Sequence, residues 1–186
     1  MPQQACQRLI LLSIITIVAV IQYKDFKQLR NKLRGKKLVF CSGTFDITHA
    51  GHVLFFEDCK ALGDLLVVGI GNDEACKRHK GSGSGRPVLN EYLRLKMVSS
   101  LKPVDYCFLH GTSSEKQPHN SLLEEIFTRL KPDIYAFNSD VADVDYRKKL
   151  AEKYKVEVRV LERKSPPEFE EISTTKIIEK VQKIRL

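Results

Sequence analysis

The sequence predicts an α/β fold: one doubly wound parallel sheet with helices on both faces. Three observations predict it. Short apolar runs alternate with helix-period segments from Lys37 onward. The plainest run, Leu65 to Ile70, lacks polar alternation, as expected of a strand buried on both faces. Each run is followed by enough chain for a crossover helix, which implies parallel strands joined by right-handed connections.

Taken in order, Phe26, Leu29 and Leu33 recur at helical spacing, and Gly35 supplies a stop. Lys37 to Cys41 reads as a strand, Ser42 to His49 as a loop, and Gly51 to Leu62 as a helix closed by Gly63. After the strand Leu65 to Ile70, Asn72 can cap a short helix through Lys77. Lys80 to Pro87 is the one glycine- and serine-rich stretch. It lacks the Lys-Ser/Thr that closes a phosphate-binding loop and reads as a mobile lid. Helix follows from Asn90 to Ser100, strand from Val104 to Leu109, helix from Leu122 to Leu130 and strand from Asp133 to Phe137. The pattern ends with helix from Val144 to Tyr154, strand from Val156 to Leu161 and helix from Thr174 to Ile184. No repeat or interdomain linker interrupts it. Residues 1–35 read as an apolar segment and a basic helix, and residues 36–186 as the domain proper.

The composition, 42% hydrophobic and 29% charged, excludes a disordered tail and a membrane bundle. A net charge of +8 points to anionic partners. Seven basic residues lie between Lys24 and Lys37 against Asp25 alone, which reads as a solvated helix face. Phe26 is the one aromatic residue there, short of the interleaving a nucleic-acid surface would want, so no nucleic-acid partner is expected. The second basic group, Lys77, Arg78, His79, Lys80 and Arg86, surrounds the glycine-rich loop and is the better ligand candidate. Five scattered cysteines, none in a C-x-x-C pair, argue against a disulfide framework and a structural zinc site and for a reducing, cytoplasmic compartment. From Leu9 to Ile21 the chain is apolar apart from Ser13 and Thr16, shorter than the roughly 20 residues a spanning helix needs. Its β-branched content suits an extra strand or a buried packing segment; a membrane or targeting element and disorder are the alternatives.

Ligands of such sheets bind beyond the carboxyl ends of the strands, where the strand order reverses. The loop after the first long strand runs Gly43-Thr44-Phe45-Asp46-Ile47-Thr48-His49-Ala50-Gly51-His52. Two imidazoles three residues apart at the mouth of a helix add donors where backbone N–H groups already favour phosphate. Gly43 lets the chain turn out of the strand, and Gly51 lets a bulky anion approach the backbone. Zinc at His49 and His52 would need further ligands, and none is spaced for it, so no metal site is assigned. His79, His110 and His119 have no companions and are expected to face solvent. Gly69-Ile70-Gly71 fails as a dinucleotide fingerprint because Glu74 stands where the third glycine belongs.

Gly43 to His52 resembles the G-T-F-D-x-x-H-x-G-H element of the cytidylyltransferase-like nucleotidyltransferase superfamily, whose fold is Rossmann-like. The resemblance runs from about Lys36 to Ile184. Lys80-Gly81 with Arg86-Pro87-Val88 is similar to the basic loop of sugar-phosphate members. Asn90-Glu91-x-x-Arg94 resembles a helix start whose arginine faces a triphosphate, and Ile172 to Ile177 resembles the I-S-T-T-x-I element. The resemblance implies transfer of CMP or AMP from CTP or ATP to a phosphorylated polyol, sugar or flavin, with release of pyrophosphate. It implies that His49, His52 and Lys80 act on the reacting phosphates. It further implies that Gly43, Thr44, Phe45 and Gly51 hold the nucleotide, that Arg94 neutralises phosphate, and that Asp140 orients the base or ribose. Ser173 and Thr174 would cap the last helix and donate to the β- and γ-phosphates. Magnesium is expected with the triphosphate, and a homodimer is a candidate state; no membrane partner is expected.

Three departures leave donor and acceptor open. Glycerol-phosphate and choline-phosphate cytidylyltransferases place an arginine and a glycine before I-S-T-T, where this chain has Glu168-Phe169-Glu170-Glu171. Heptose-phosphate adenylyltransferases carry a glycine-rich acidic motif where Phe137-Asn138-Ser139-Asp140 stands here. Archaeal-type FAD synthases share the Leu101 to Asp105 junction but begin the last helix differently. The final-helix element favours CTP, whereas Arg86-Pro87-Val88 favours ATP and a sugar phosphate. A nucleotide-binding regulatory module without turnover is the alternative reading, motivated by the acidic segment.

Overall fold

A computed structural model describes residues 19–81, 83–111, 119–141, 143–162 and 166–184. Six parallel strands form one sheet: β1 (Ala19–Val20), β2 (Leu38–Gly43), β3 (Leu65–Gly71), β4 (Tyr106–His110), β5 (Ile134–Asn138) and β6 (Glu157–Leu161). Their order across the sheet is β1-β4-β3-β2-β5-β6. The chain therefore winds outward from β2 through β3 to β4, then returns to the other side of β2 for β5 and β6. The reversal lies between β2 and β5. Those two strands pair only at Val39–Ile134 and Phe40–Tyr135, so their carboxyl ends part and open a crevice.

Strict alternation along the strands makes two cores. Leu38, Phe40, Val67, Phe108, Tyr135 and Phe137 face α1 (Phe26–Lys32), α5 (His119–Arg129) and α6 (Val144–Lys153). Val39, Cys41, Leu66, Val68, Ile70 and Ala136 face α2 (Ala50–Ala61) and α4 (Glu91–Val98). Leu29, Ile126 and Leu130 are core stripes, as their spacing predicts. Two further helices, α3 (Asp73–Lys80) and α7 (Thr174–Lys183), begin at the edge of the crevice. The side chains of Asn72 and Asn90 cap α3 and α4 by accepting from backbone N–H groups one turn in.

One expectation is corrected. Strand β2 continues through Ser42 and Gly43, expected as loop, because both stay in register with Gly69 and Ile70 of β3. The basic segment carries the apolar stripe that its spacing predicts, with Phe26 and Leu29 of α1 buried in the first core. Of the apolar run Leu9 to Ile21, residues 19 and 20 add β1 to the sheet edge, and residues before 19 lie outside those described. Among the described residues, no helix is long and apolar enough to cross a membrane.

Candidate active site

Beyond Gly43 the chain enters a tight loop in which Phe45 and Ile47 both adopt left-handed backbone conformations, at φ 52° and 44°. Such strain persists where the surroundings over-determine it. The Phe45 ring is held against Phe56, with centroids 4.8 Å apart, and edge-on to His52. Gly43 has a different purpose from the turn expected of it: a Cβ there would sit 2.9 Å from the Phe45 ring.

Asp46, whose side chain was given no role from sequence, is the hub of the loop. Its carboxylate is 1% exposed and accepts from the N–H groups of Val88 and Leu89 and from Arg86 Nε at 2.7 Å. Burial pushes its pKa up, but those three hydrogen bonds and the Arg86 charge outweigh it and hold the carboxyl below its ordinary value. The carbonyl of Asp46 accepts from the buried Thr174 hydroxyl at 2.8 Å. One residue thus joins the first loop, the Arg86-Pro87-Val88 segment and the start of α7.

His49 is the N-cap of α2, and His52 lies one turn in. The His49 amide points at His52 Nδ1 across 3.4 Å, and the two rings stack with centroids 3.9 Å apart. An Nδ1 that accepts leaves the proton of a neutral imidazole on Nε2, making that nitrogen a donor. Gly51 permits this stack: a Cβ would press on the His49 ring at 3.1 Å.

His49, His52, Ser173 and Thr174 line one cleft of about 630 Å³ at the carboxyl ends of the strands, together with Gly43, Thr44, Phe45 and Gly51. Ser173 caps α7, its hydroxyl accepting from Lys176 N–H. Thr174 differs from expectation: its hydroxyl donates to Asp46, so the residue offers the cleft its place at the helix start rather than that proton. Asp140 lines the cleft from the exposed turn after β5.

Arg94 does not join them as expected. It is fully buried, and its guanidinium donates to the carbonyls of Leu89, Thr44 and Gly71 and to the Asp73 carboxylate. It holds the ends of β2 and β3 in place rather than facing a ligand. The Lys80 side chain lies outside the described residues. His110, expected in solvent, is 7% exposed, lines the cleft and is hydrogen-bonded to Tyr23. Arg147 and Glu162 also line the cleft, and sequence reasoning passed over both. Arg147 is bonded to the Tyr135 hydroxyl and sits 6.0 Å from the centre of the Phe137 ring. The acidic segment before α7 is tied to that helix, Glu170 pairing with Lys180 and Glu171 with Lys176.

A family model described as Cytidylyltransferase-like matches residues 40–180. The chain belongs to this family. Its curated relatives include the bifunctional protein HldE of Campylobacter jejuni strain RM1221, 38% identical over 152 residues that make up 81% of this chain and 29% of that protein. The HldE of Helicobacter pylori strain J99 is 35% identical, over 80% of this chain and 28% of its own. The chain thus spans less than a third of the length of these relatives. Among solved structures, a lipopolysaccharide core biosynthesis protein from Thermoplasma volcanium superposes with a TM-score of 0.55 at 27% identity, covering 71% of this chain and 99% of that one. A pantoate-beta-alanine ligase from Francisella tularensis gives a TM-score of 0.56 at 17% identity, covering 81% and 69%, a likeness of fold alone. These neighbours accord with the Rossmann-like sheet expected from the sequence.

Proposed function

We propose that this chain moves a nucleoside monophosphate from a nucleoside triphosphate to a phosphorylated small molecule, with ATP as donor and a sugar phosphate as acceptor. One observation carries the reading: the stacked His49–His52 pair and the capped start of α7 face a single cleft at the point where the strand order reverses. In the reaction an acceptor phosphate oxygen attacks the α-phosphorus. The bond from that phosphorus to the bridging oxygen breaks, and pyrophosphate leaves. Negative charge grows on the α- and β-phosphate oxygens. Donors fixed beforehand around that charge lower the barrier without a covalent intermediate. The His52 Nε2–H and the N–H groups opening α7 are the donors assigned to it, with His49 stacked on His52 to hold its ring.

Magnesium is assigned to the triphosphate, where it would neutralise the phosphate oxygens. Among the described residues no group of three or more His, Cys, Asp or Glu side chains could hold a metal ion, so the ion is assigned to the triphosphate and not to a cage of side chains. The choice of ATP and a sugar phosphate rests on the Arg86-Pro87-Val88 segment, which Asp46 fastens to the cleft, and on the kinship with the HldE proteins and the lipopolysaccharide core biosynthesis protein.

The test is pyrophosphate release with ATP or CTP against a panel of sugar, polyol and flavin phosphates. Turnover is expected with ATP and a sugar phosphate, and His52→Ala should lower kcat about 10²- to 10³-fold, the usual cost of one oxyanion donor. Equal rates in the two proteins contradict the role given to His52. Tight triphosphate binding without release on any acceptor contradicts the enzyme and supports a regulatory nucleotide-binding module instead.

A further inference from the structure

The transfer needs a place for its acceptor, and the cleft is not uniform. Strands β5 and β6 lead into Asp140 and Glu162. Arg147 stands beside them, and the two carboxylates outnumber it, so this side suits hydroxyl groups better than a second phosphate. The part built by β3, β4 and the segment between them presents Gly71, Cys76, Arg86 and His110 instead. An anionic acceptor is better matched there.

His110 ends β4, and its Nδ1 lies 2.8 Å from the Tyr23 hydroxyl. Tyr23 comes from chain that precedes the family-matched residues 40–180. A continuous path brings it there. Ala19 and Val20 pair with Tyr106 and Cys107, and the Ile21 N–H donates to the Cys107 carbonyl at 2.9 Å. A single 3-10 turn then sets the Tyr23 ring edge-on to Phe108, at 5.3 Å, and against Phe26, at 4.9 Å. Burial pushes the Tyr23 phenol well above its ordinary pKa, and the Glu125 charge adds to that, so the hydroxyl keeps its proton. The protonated phenol faces His110 Nδ1 and donates to it when the imidazole proton sits on Nε2.

Resting on the transfer proposed above, we infer that His110 binds the acceptor phosphate in the β3–β4 part of the cleft and that Tyr23 is the positioning residue that fixes its tautomer. The N-terminal segment thereby completes a site that the family-matched residues build only in part. A histidine held as an Nε2 donor, with the Arg86 guanidinium in the same cleft, is suited to a phosphate monoester.

The full chain with ¹⁵N-labelled histidine is saturated with α,β-methylene ATP, so that the triphosphate site is filled. It is then titrated with inorganic phosphate and with glucose 1-phosphate. The His110 signals should report an Nε2-protonated ring and should move saturably with the probes. Tyr23→Phe keeps the ring packing and loses the hydroxyl. It should mix the two tautomers and weaken probe binding about five-fold, the worth of one hydrogen bond, with the analogue's Kd unchanged. In turnover the same variant should raise KM for the acceptor while leaving kcat and KM for the nucleotide near wild type. Unmoved His110 signals, or probe affinity and tautomer identical in wild type and Tyr23→Phe, overturn the inference. A chain that releases no pyrophosphate overturns the transfer reading instead, and leaves the titration of His110 readable.

Discussion

Asp46 sets the shape of the loop after β2 through a carboxylate that is almost wholly buried yet accepts three hydrogen bonds. Its folded pKa is lowered, so the ionised form contributes stability above the unfolded value of about 4 and loses it as pH falls through the folded value. Denaturant unfolding from pH 7 down to pH 3 should therefore show Asp46→Asn less stable than wild type at neutral pH. The gap should shrink below about pH 4, where Asp46 of the unfolded chain begins to take up a proton while the folded carboxylate is still ionised. A gap that stays constant to pH 3 contradicts the assignment. The sequence already located the loop, since two histidines flanking a glycine at a strand-to-helix junction are visible in one dimension. The jobs of single residues were less legible, because their partners are remote in sequence. Arg94 donates to Thr44 across 50 positions and Thr174 to Asp46 across 128. Gly51 answers to the rotamer of His49, which no spacing records.

The helix starts of α2 and α7 meet where Thr174 reaches back to Asp46. Ser173 has two duties at that junction, as cap and as part of the cleft wall. Ser173→Ala should cost about 1 kcal/mol of stability, as lost caps do. It should also raise KM for the nucleoside triphosphate, read from the same pyrophosphate assay. A loss of stability with unchanged KM would reduce Ser173 to a cap. Elements of this kind were the most legible part of the molecule. Unbroken apolar runs marked strands buried on both faces, and Asn72, Asn90 and Ser173 marked helix starts through their capping chemistry. The extension of β2 through Gly43 was missed because Ser42 and Gly43 carry no strand signal of their own; pairing with β3 imposes it.

At the scale of the molecule, a sheet buried on both faces couples the cleft to two cores, and the N-terminal helix belongs to one of them. Phe26 is wholly buried, its ring 4.8 Å from that of Phe108 on β4. Phe26→Ala should destabilise the fold by about 3–5 kcal/mol, in keeping with other buried aromatic truncations. Unfolding should stay a single transition when followed by far-ultraviolet circular dichroism and by tyrosine fluorescence. A separate early transition would instead make residues 19–35 an independent unit. The spacing of Phe26, Leu29 and Leu33 made this packing legible, with the charges of Lys24 to Lys37 left to the outer face of a short helix. The meeting of the first and last crossover helices over one ligand is the claim on which the rest stands. The most direct measurement is a crystal structure grown with α,β-methylene ATP. The account predicts a triphosphate lying between His49 and His52 on one side and the N–H groups of Thr174 and Thr175 on the other. A triphosphate bound elsewhere, with that cleft empty, would contradict it.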